Sequence, residues 1–377
     1  MKLRRTWAVA HKECLHVMRD ARSLAMALAM PALLLILFGY ALSLDVDQVP
    51  LAVWDQSGTE RSRELIGRFT GSRYFSLRCY VNTYADLMYR INQGRVAMGM
   101  VVPRNFAQQV DAGRDVPVQL IIDGTDSNTA TIALGYADVI AQVYALDLRM
   151  EQSQRRNGSR LTMPLDVRPR VWYNEDLNSR NYLIPGLIAV VLLVIAAMLT
   201  SLTVAREWER GTMEQLISTP VKVSELIAGK LVPYFVVGGV SVVLAMAMGE
   251  FVFHVPLRGS VALVLGTSAL FLVGSLAMGI LISIVTKNQL MANQIAGVAT
   301  FLPANLLSGF IYNINNMPHV IQWVTYLVPA RYFVVILKGI YLKGVGVEIL
   351  AGQIVLLVVF GAVTLFVAHL AFHKKLE

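Results

Sequence analysis

The sequence predicts an α-helical integral membrane protein: six transmembrane helices, an outer re-entrant hairpin and an inserted extracytoplasmic α/β domain. Three observations predict it. The 377 residues are 55% apolar with a mean hydropathy of +0.55, well above a soluble average. Six apolar runs reach the ~20 residues that cross a hydrocarbon core about 30 Å thick. One long segment, 45–181, interrupts them with short strand-like and helix-like stretches in alternation.

Residues 1–22 form a basic segment with Trp7, Val9, Leu15 and Val17 interspersed, the pattern of a helix lying along a membrane interface. The first apolar run is Ser23–Leu44. Ala41-Leu42-Ser43 has the small-x-small form of a signal-peptide cleavage site, but the preceding basic region is 22 residues long. The run also exceeds the usual ~7–15 apolar residues of a signal peptide, so it reads as a retained anchor. Within 45–181 the strand-like runs are Pro50–Trp54, Tyr74–Val81, Val96–Val102, Val116–Asp123 and Val167–Tyr173. Helical patterns fall at Ser62–Thr70, Tyr84–Asn92, Phe106–Ala112 and Thr129–Gln152. Strand and helix in turn argue for a mixed or parallel sheet with a core of its own. Arg155–Arg160 is a polar break, and the glycosylation-type triplet Asn157-Gly158-Ser159 inside it reads as exposed loop.

Residues 182–377 carry the other five spans: Tyr182–Val204, Val232–Phe253, Val261–Val285, Leu290–Tyr312 and Ile349–Phe372. A further apolar stretch, Met317–Tyr341, is broken by Pro329 and Arg331. It reads as a hairpin dipping into the outer leaflet, because irregular backbone survives at membrane depth only where protein or a cavity shelters it.

Charge sets the orientation. With six spans, the N-terminal segment, the loop 205–231, Lys287 and the C-terminal tail share one side, with thirteen Lys and Arg against seven Asp and Glu. By the positive-inside rule that side, with both termini, is cytoplasmic. Segment 45–181 balances sixteen Arg against sixteen acidic residues with no Lys, and loops this long escape the rule. The net charge of +8 is therefore a topology signal and implies no nucleic-acid partner. Cys14 and Cys79 fall on opposite sides of the membrane and cannot pair within one chain. Each reads as a small buried or interfacial hydrophobe.

Motifs for chemistry are missing. The chain has no G-x-x-x-x-G-K-[ST], no H-E-x-x-H and no G-x-S-x-G, hence no phosphate-cradling loop, metalloprotease helix or nucleophile elbow. Asp123-Gly124-Thr125-Asp126 lacks the spacing of a calcium loop and reads as a turn closing a strand. No metal or cofactor site emerges. Apart from Glu250 and His369 near their ends, the apolar runs hold no ionisable group of the kind that proton- or ion-coupled carriers place at mid-membrane. Energy for movement would have to arrive by contact.

The place for contact is the charged loop 205–231. Arg206–Ser218 has helix-forming composition, with Glu207 and Arg210 at i,i+3 and Arg210 and Glu214 at i,i+4. Met213, Leu216 and Ile217 make an apolar strip, Gly211 permits close approach to a partner, and Thr219-Pro220 reads as an N-cap followed by Pro at N1 of the next helix. One reading is a solvated connector; the other is a coupling element docked on a soluble partner.

The pattern Glu207-x-x-x-Gly211-Thr212-x-Glu214-x-Leu216-x-x-Thr219-Pro220 resembles the cytoplasmic loop motif of ABC-2 type transporter permeases, and Gly229-Lys230 resembles the start of their third span. Leu307-Ser308-Gly309-Phe310, Met317-Pro318 and Tyr326-Leu327-x-Pro329-x-Arg331-Tyr332 resemble their outer re-entrant hairpin. Pro169–Asn174 resembles the subgroup with a large external domain between the first two helices. The run Ile311–Asn316 departs from the pattern by its polarity. The likeness covers nearly the whole chain.

The resemblance implies a half-transporter of the bacterial inner membrane that pairs with a second copy or a paralogue. A separate ATPase, carrying the ATP and magnesium, would dock on Glu207, Arg210, Gly211, Thr212, Glu214, Leu216, Thr219, Pro220 and the N-terminal helix. Pro318, Pro329, Arg331 and Tyr332 would shape the outer hairpin. It implies export of drugs or other amphipathic compounds, with a periplasmic membrane-fusion adaptor in related systems. Two other classes stand beside it: a transmembrane signal or mechanical transmitter, and an enzyme acting on lipid. Six spans exceed what a receptor needs, and no nucleophile–base pair favours the enzyme.

Overall fold

The computed structural model describes residues 2–41, 46–157, 172–174 and 178–372. The chain opens with α1 (Leu3–Arg19) and α2 (Ala21–Ala41). It continues through β1 (Val49–Asp55), α3 (Glu60–Thr70), β2 (Phe75–Tyr80), α4 (Tyr84–Asn92), β3 (Met98–Val102), α5 (Phe106–Asp111), β4 (Gln119–Ile122) and α6 (Ser127–Asn157). Then come α7 (Ser179–Glu209), α8 (Thr212–Ser218), α9 (Val223–Ala247), α10 (Val261–Thr286), α11 (Gln289–Leu307), α12 (His319–Val324), α13 (Pro329–Lys338) and α14 (Val347–Ala371). Contacts divide it into two units, 44–169 and the remainder.

The smaller unit is α/β. Its four strands lie in the order β2-β1-β3-β4, with β1 parallel to β2 and β3 and β4 antiparallel to β3. Parallel neighbours require crossovers, and α3 and α4 supply them. Period-two alternation sends Val49, Leu51, Val53, Met98, Met100 and Val102 to one face, under α3, α5 and α6. Ala52 and Val101 face the other way, onto Leu87 and Ile91 of α4. The sheet is thus mixed, as expected. Its last strand is shorter than Val116–Asp123, and the expected strand Val167–Tyr173 falls mainly outside the described residues. Asp123 does end a turn: its carboxylate accepts the Thr125 N–H at 2.9 Å, and Asp126 accepts those of Asn128 and Thr129 at the start of α6. The Thr125 and Thr129 hydroxyls first, and these N–H groups after them, hold both carboxyls below the usual carboxylate range.

In the larger unit, α7 is the axis, surrounded by α2, α9, α10, α11 and α13. Of its most apolar stretch 89% is buried, against 22% for α11 and α14, so the outer helices expose long apolar faces, as lipid-facing helices do. Among the described residues six helices have the length and composition to cross a membrane, with α12 and α13 a bent pair. That set includes α6, which the sequence places in the α/β domain. Ala133, Ala137 and Tyr144 of α6 lie in the core of that unit, which accounts for its apolar character. The Ala27–Ala41 part of α2 is apolar but shorter. The protein is an integral membrane protein built mainly of helices.

The break between α12 and α13 bends the chain by 90°. Pro329 explains it. Proline lacks an N–H and disfavours a helical residue before it, so Val328 is extended and Pro329 begins α13. The polar run before it, Ile311–Asn316, ends in a short 3-10 turn capped by the Asn313 side chain.

Candidate functional site

Both ends of α7 carry clusters of predicted residues. At its beginning the Tyr182 ring lies 3.3 Å from the Lys338 ammonium, which also donates to the Gly309 carbonyl at 3.0 Å. Close by in sequence, Pro318 caps α12. The Arg331 guanidinium stacks 3.7 Å from the Tyr326 ring centre and donates to Thr325 and to the Gln322 carbonyl. Tyr332 donates its hydroxyl to Tyr326 O at 2.6 Å. Arg331 and Tyr332 thus reach back across the break to the segment before it.

The far end of α7 differs from expectation in an informative way. Residues 206–218 are not one helix. α7 runs on to Glu209, Gly211 takes a left-handed conformation with φ of 68°, and α8 starts afresh at Thr212. The ladder from Glu207 through Arg210 to Glu214 is therefore broken, because a left-handed residue redirects the axis. Glu214 is exposed and pairs with nothing at Arg210. Thr219 is not the N-cap of the next helix either. Pro220 forces it into extended backbone, where it ends α8 and donates its hydroxyl to the Leu216 carbonyl at 2.6 Å. α9 starts three residues later, its first turn held by the Glu225 carboxylate, which accepts the Lys222 N–H at 3.1 Å. The apolar strip is real: Met213 is buried, with Leu216 and Ile217 packed against the same cluster.

Glu207 meets the N-terminal helix. It accepts from Lys12 at 2.8 Å and from the Thr212 hydroxyl, and lies 3.6 Å from Lys230. Lys230, 1% exposed, pairs with Glu13 and donates to the Thr203 carbonyl at 3.3 Å. Arg210 lies 3.4 Å from His16, Arg206 pairs with Asp20 at 3.4 Å, and the Lys2 N–H donates to Glu225 at 2.6 Å. One face of α1 is thus bonded to the end of α7 and the start of α9. Gly229 permits the approach, since a Cβ there would come within 2.7 Å of Val9. Leu3, Trp7, Leu15 and Met18 stay exposed on α1, while Val9 and Val17 turn inward. Only the first group could rest on a membrane surface.

Sequence reasoning missed Glu13, and it read Lys230 only as part of the start of the third span, with no ionic partner. Counting spans from apolar runs started the third at Val232 and left Lys230 outside it, whereas its helix begins at Val223. The signal was there: a lone lysine abutting an apolar run, and acidic Glu13 and Asp20 seven apart on a basic helix.

α10 completes the junction. The Ser283 hydroxyl accepts the N–H groups of Val204 and Ala205 at 3.0 and 2.8 Å, and Thr200 donates to the Leu276 carbonyl at 2.8 Å. Below it, Glu209 accepts the Gln289 N–H at 2.8 Å, and Lys287 lies 4.7 Å from the Trp208 ring centre. Five helices, α1, α8, α9, α10 and α11, therefore converge on the last turns of α7. Among the described residues no group of His, Cys, Asp and Glu is arranged to hold a metal.

Residues 21–370 match the sequence model of the family described as ABC-2 family transporter protein. The chain is 39% identical to the "Probable multidrug ABC transporter permease YbhS" of Escherichia coli K12, over 90% of this chain and 89% of that protein. It is 31% identical to the "Probable multidrug ABC transporter permease YbhR" of the same strain, over 98% and 99%. It is 26% identical to the "Inner membrane transport permease YhhJ", over 95% and 96%.

Proposed function

The chain belongs to the ABC-2 transporter family, and on that premise we propose that it is the membrane half of an exporter whose ATPase docks on the α1–α7–α8–α9 junction. As a permease of an ABC transporter it works with an ATP-binding partner, the nucleotide and its magnesium being held there. In this reading a second copy or a paralogue completes the translocation path, and the α/β unit faces the extracytoplasmic side. Drugs or other amphipathic compounds move outward, with a membrane-fusion adaptor as a further partner. The charge asymmetry supports cytoplasmic termini, and the multidrug names of the relatives support the substrate class.

One observation carries the coupling role. Glu207 sits where α1, α7 and α9 meet, bonded to Lys12 and Thr212 beside the buried Lys230. A push on the exposed face of α8 reaches α7 through Thr212, and reaches α9 through the α1 contacts. Glu214, Gln215 and Ser218 on that face are exposed and free to meet the ATPase. Among the described residues Glu214 makes no ion pair or side-chain hydrogen bond, so its replacement separates docking from folding. The test is Glu214→Arg together with Gln215→Arg in the complex with its ATPase, comparing membrane insertion, ATPase capture and drug export. Normal insertion with lost capture is the expected result. Wild-type capture and export would refute docking on α8.

A further inference from the structure

The α/β unit contains a cavity of about 410 Å³, bounded by α3, α5, the segment 113–120 and α6. Interiors hold few voids larger than a water molecule, and ligand pockets run from about 300 to 1,000 Å³. Its walls are apolar: Phe69, Phe106, Val110, Val118 and Leu148 contribute, with Tyr144. The Tyr144 hydroxyl is spent on the Arg61 carbonyl at 3.1 Å, and burial pushes that phenol up to about 12. Hydrocarbon suits such walls, since an unpaired polar group would lose its water there without replacement.

The mouth is different. Arg114 and Arg149 line it, exposed and without an ion pair among the described residues; Asp115 is the one acidic residue in the lining, while Asp111 and Glu151 nearby in sequence pair with Arg61, and Asp147 with Arg68. Gln142, also on the rim, is engaged by Asp138 at 2.7 Å. Two guanidiniums against one carboxylate favour a single negative charge.

We propose that this cavity binds the apolar body of a singly charged anionic amphiphile, such as an alkyl carboxylate, with its head group on Arg114 and Arg149. The site is built from α/β-unit residues alone, shares none with the junction of α7, and does not rest on the export reading. An acyl chain could arrive as a free acid or as part of an anionic phospholipid, and the two sources share this chemistry.

The test uses the full chain in nanodiscs of phosphatidylcholine with a photoreactive diazirine dodecanoate, followed by digestion and mass spectrometry. Saturable labelling within 113–120 and 141–149 is expected, competed at least tenfold better by dodecyl sulfate than by dodecyltrimethylammonium. Ala145→Trp fills the cavity from an exposed helix position, so it spares the fold and should cut this labelling at least tenfold. Arg114→Glu with Arg149→Glu should abolish the preference for the anionic competitor. A second arm places the diazirine on the acyl chain of phosphatidylglycerol in the disc. Labelling there identifies bilayer lipid as the source, and labelling from the free acid alone identifies a solute. Labelling confined to the membrane helices, unchanged in Ala145→Trp, or competed equally by the cation overturns the proposal. Because the readout involves no ATPase, it stands or falls separately from transport.

Discussion

Replacing Lys230 by Met tests the ionic junction most directly. The methionine keeps the packing of the lysine stem, so the change removes charge and little volume. Lys230 is 1% exposed and its partner Glu13 7% at the side chain. Deleting one member of a pair this deeply buried costs about 3–5 kcal/mol, since the other charge is left without compensation. Glu207 keeps Lys12 at 2.8 Å, which places the expected loss near the lower figure, about 3 kcal/mol. Lys12 is 48% exposed, so Lys12→Ala should cost no more than about 1 kcal/mol. The assay is thermal unfolding of the purified permease in detergent. Lys230→Met should melt several degrees below the native chain, and adding Glu13→Gln should recover most of the loss, because the stranded carboxylate is gone. A Lys230→Met protein that melts with the native chain would refute the reasoning. So would a double variant whose losses simply add.

Three further outcomes follow from neighbouring features. A Cβ at Gly279 would collide with the Ala197 carbonyl and the Thr200 hydroxyl, so Gly279→Ala should destabilise by about 1–3 kcal/mol by prying α10 from α7, measured by the same melt. Gly211 has open space around its missing Cβ, so Gly211→Ala should cost only the left-handed backbone penalty of about 1–2 kcal/mol, and Gly211→Asn less; a larger loss on melting would mean an unseen contact. Asp123 and Asp126 are held low first by their threonine hydroxyls. A lowered folded value means stabilisation present above the ordinary carboxylate range and lost as pH falls through it. Hydrogen-exchange protection at the start of α6, corrected for the intrinsic exchange rate, should therefore fall on acidification below about pH 4, and Asp126→Asn should flatten that fall.

Hydrophobic length and period made most of the architecture legible. Much of the α/β unit was readable, because the apolar runs at 50–54, 74–81 and 96–102 overlap β1, β2 and β3, and the helical patterns at 62–70 and 84–92 overlap α3 and α4. The bend at Val328 was readable from Pro329. Illegible were the points where local rules met distant partners. A continuous helix through 206–218 fits local composition, yet Gly211 interrupts it. Thr219-Pro220 satisfies a helix-start pattern and serves a helix end instead. The pairing of Glu13 with Lys230 spans 217 positions, and no local periodicity encodes it.

The length of α7 has a mechanical consequence. At about 1.5 Å per residue, its 31 residues extend about 46 Å, roughly half as long again as the hydrocarbon layer. Beyond Pro185, a helix of that length moving as one body would act as a lever. Tilting it by about 10° around Tyr182 sweeps the Glu209 end, about 40 Å away, through about 7 Å. The Ser283 hydroxyl grips the rod a few residues short of its tip, so such a swing would carry α10 along with it.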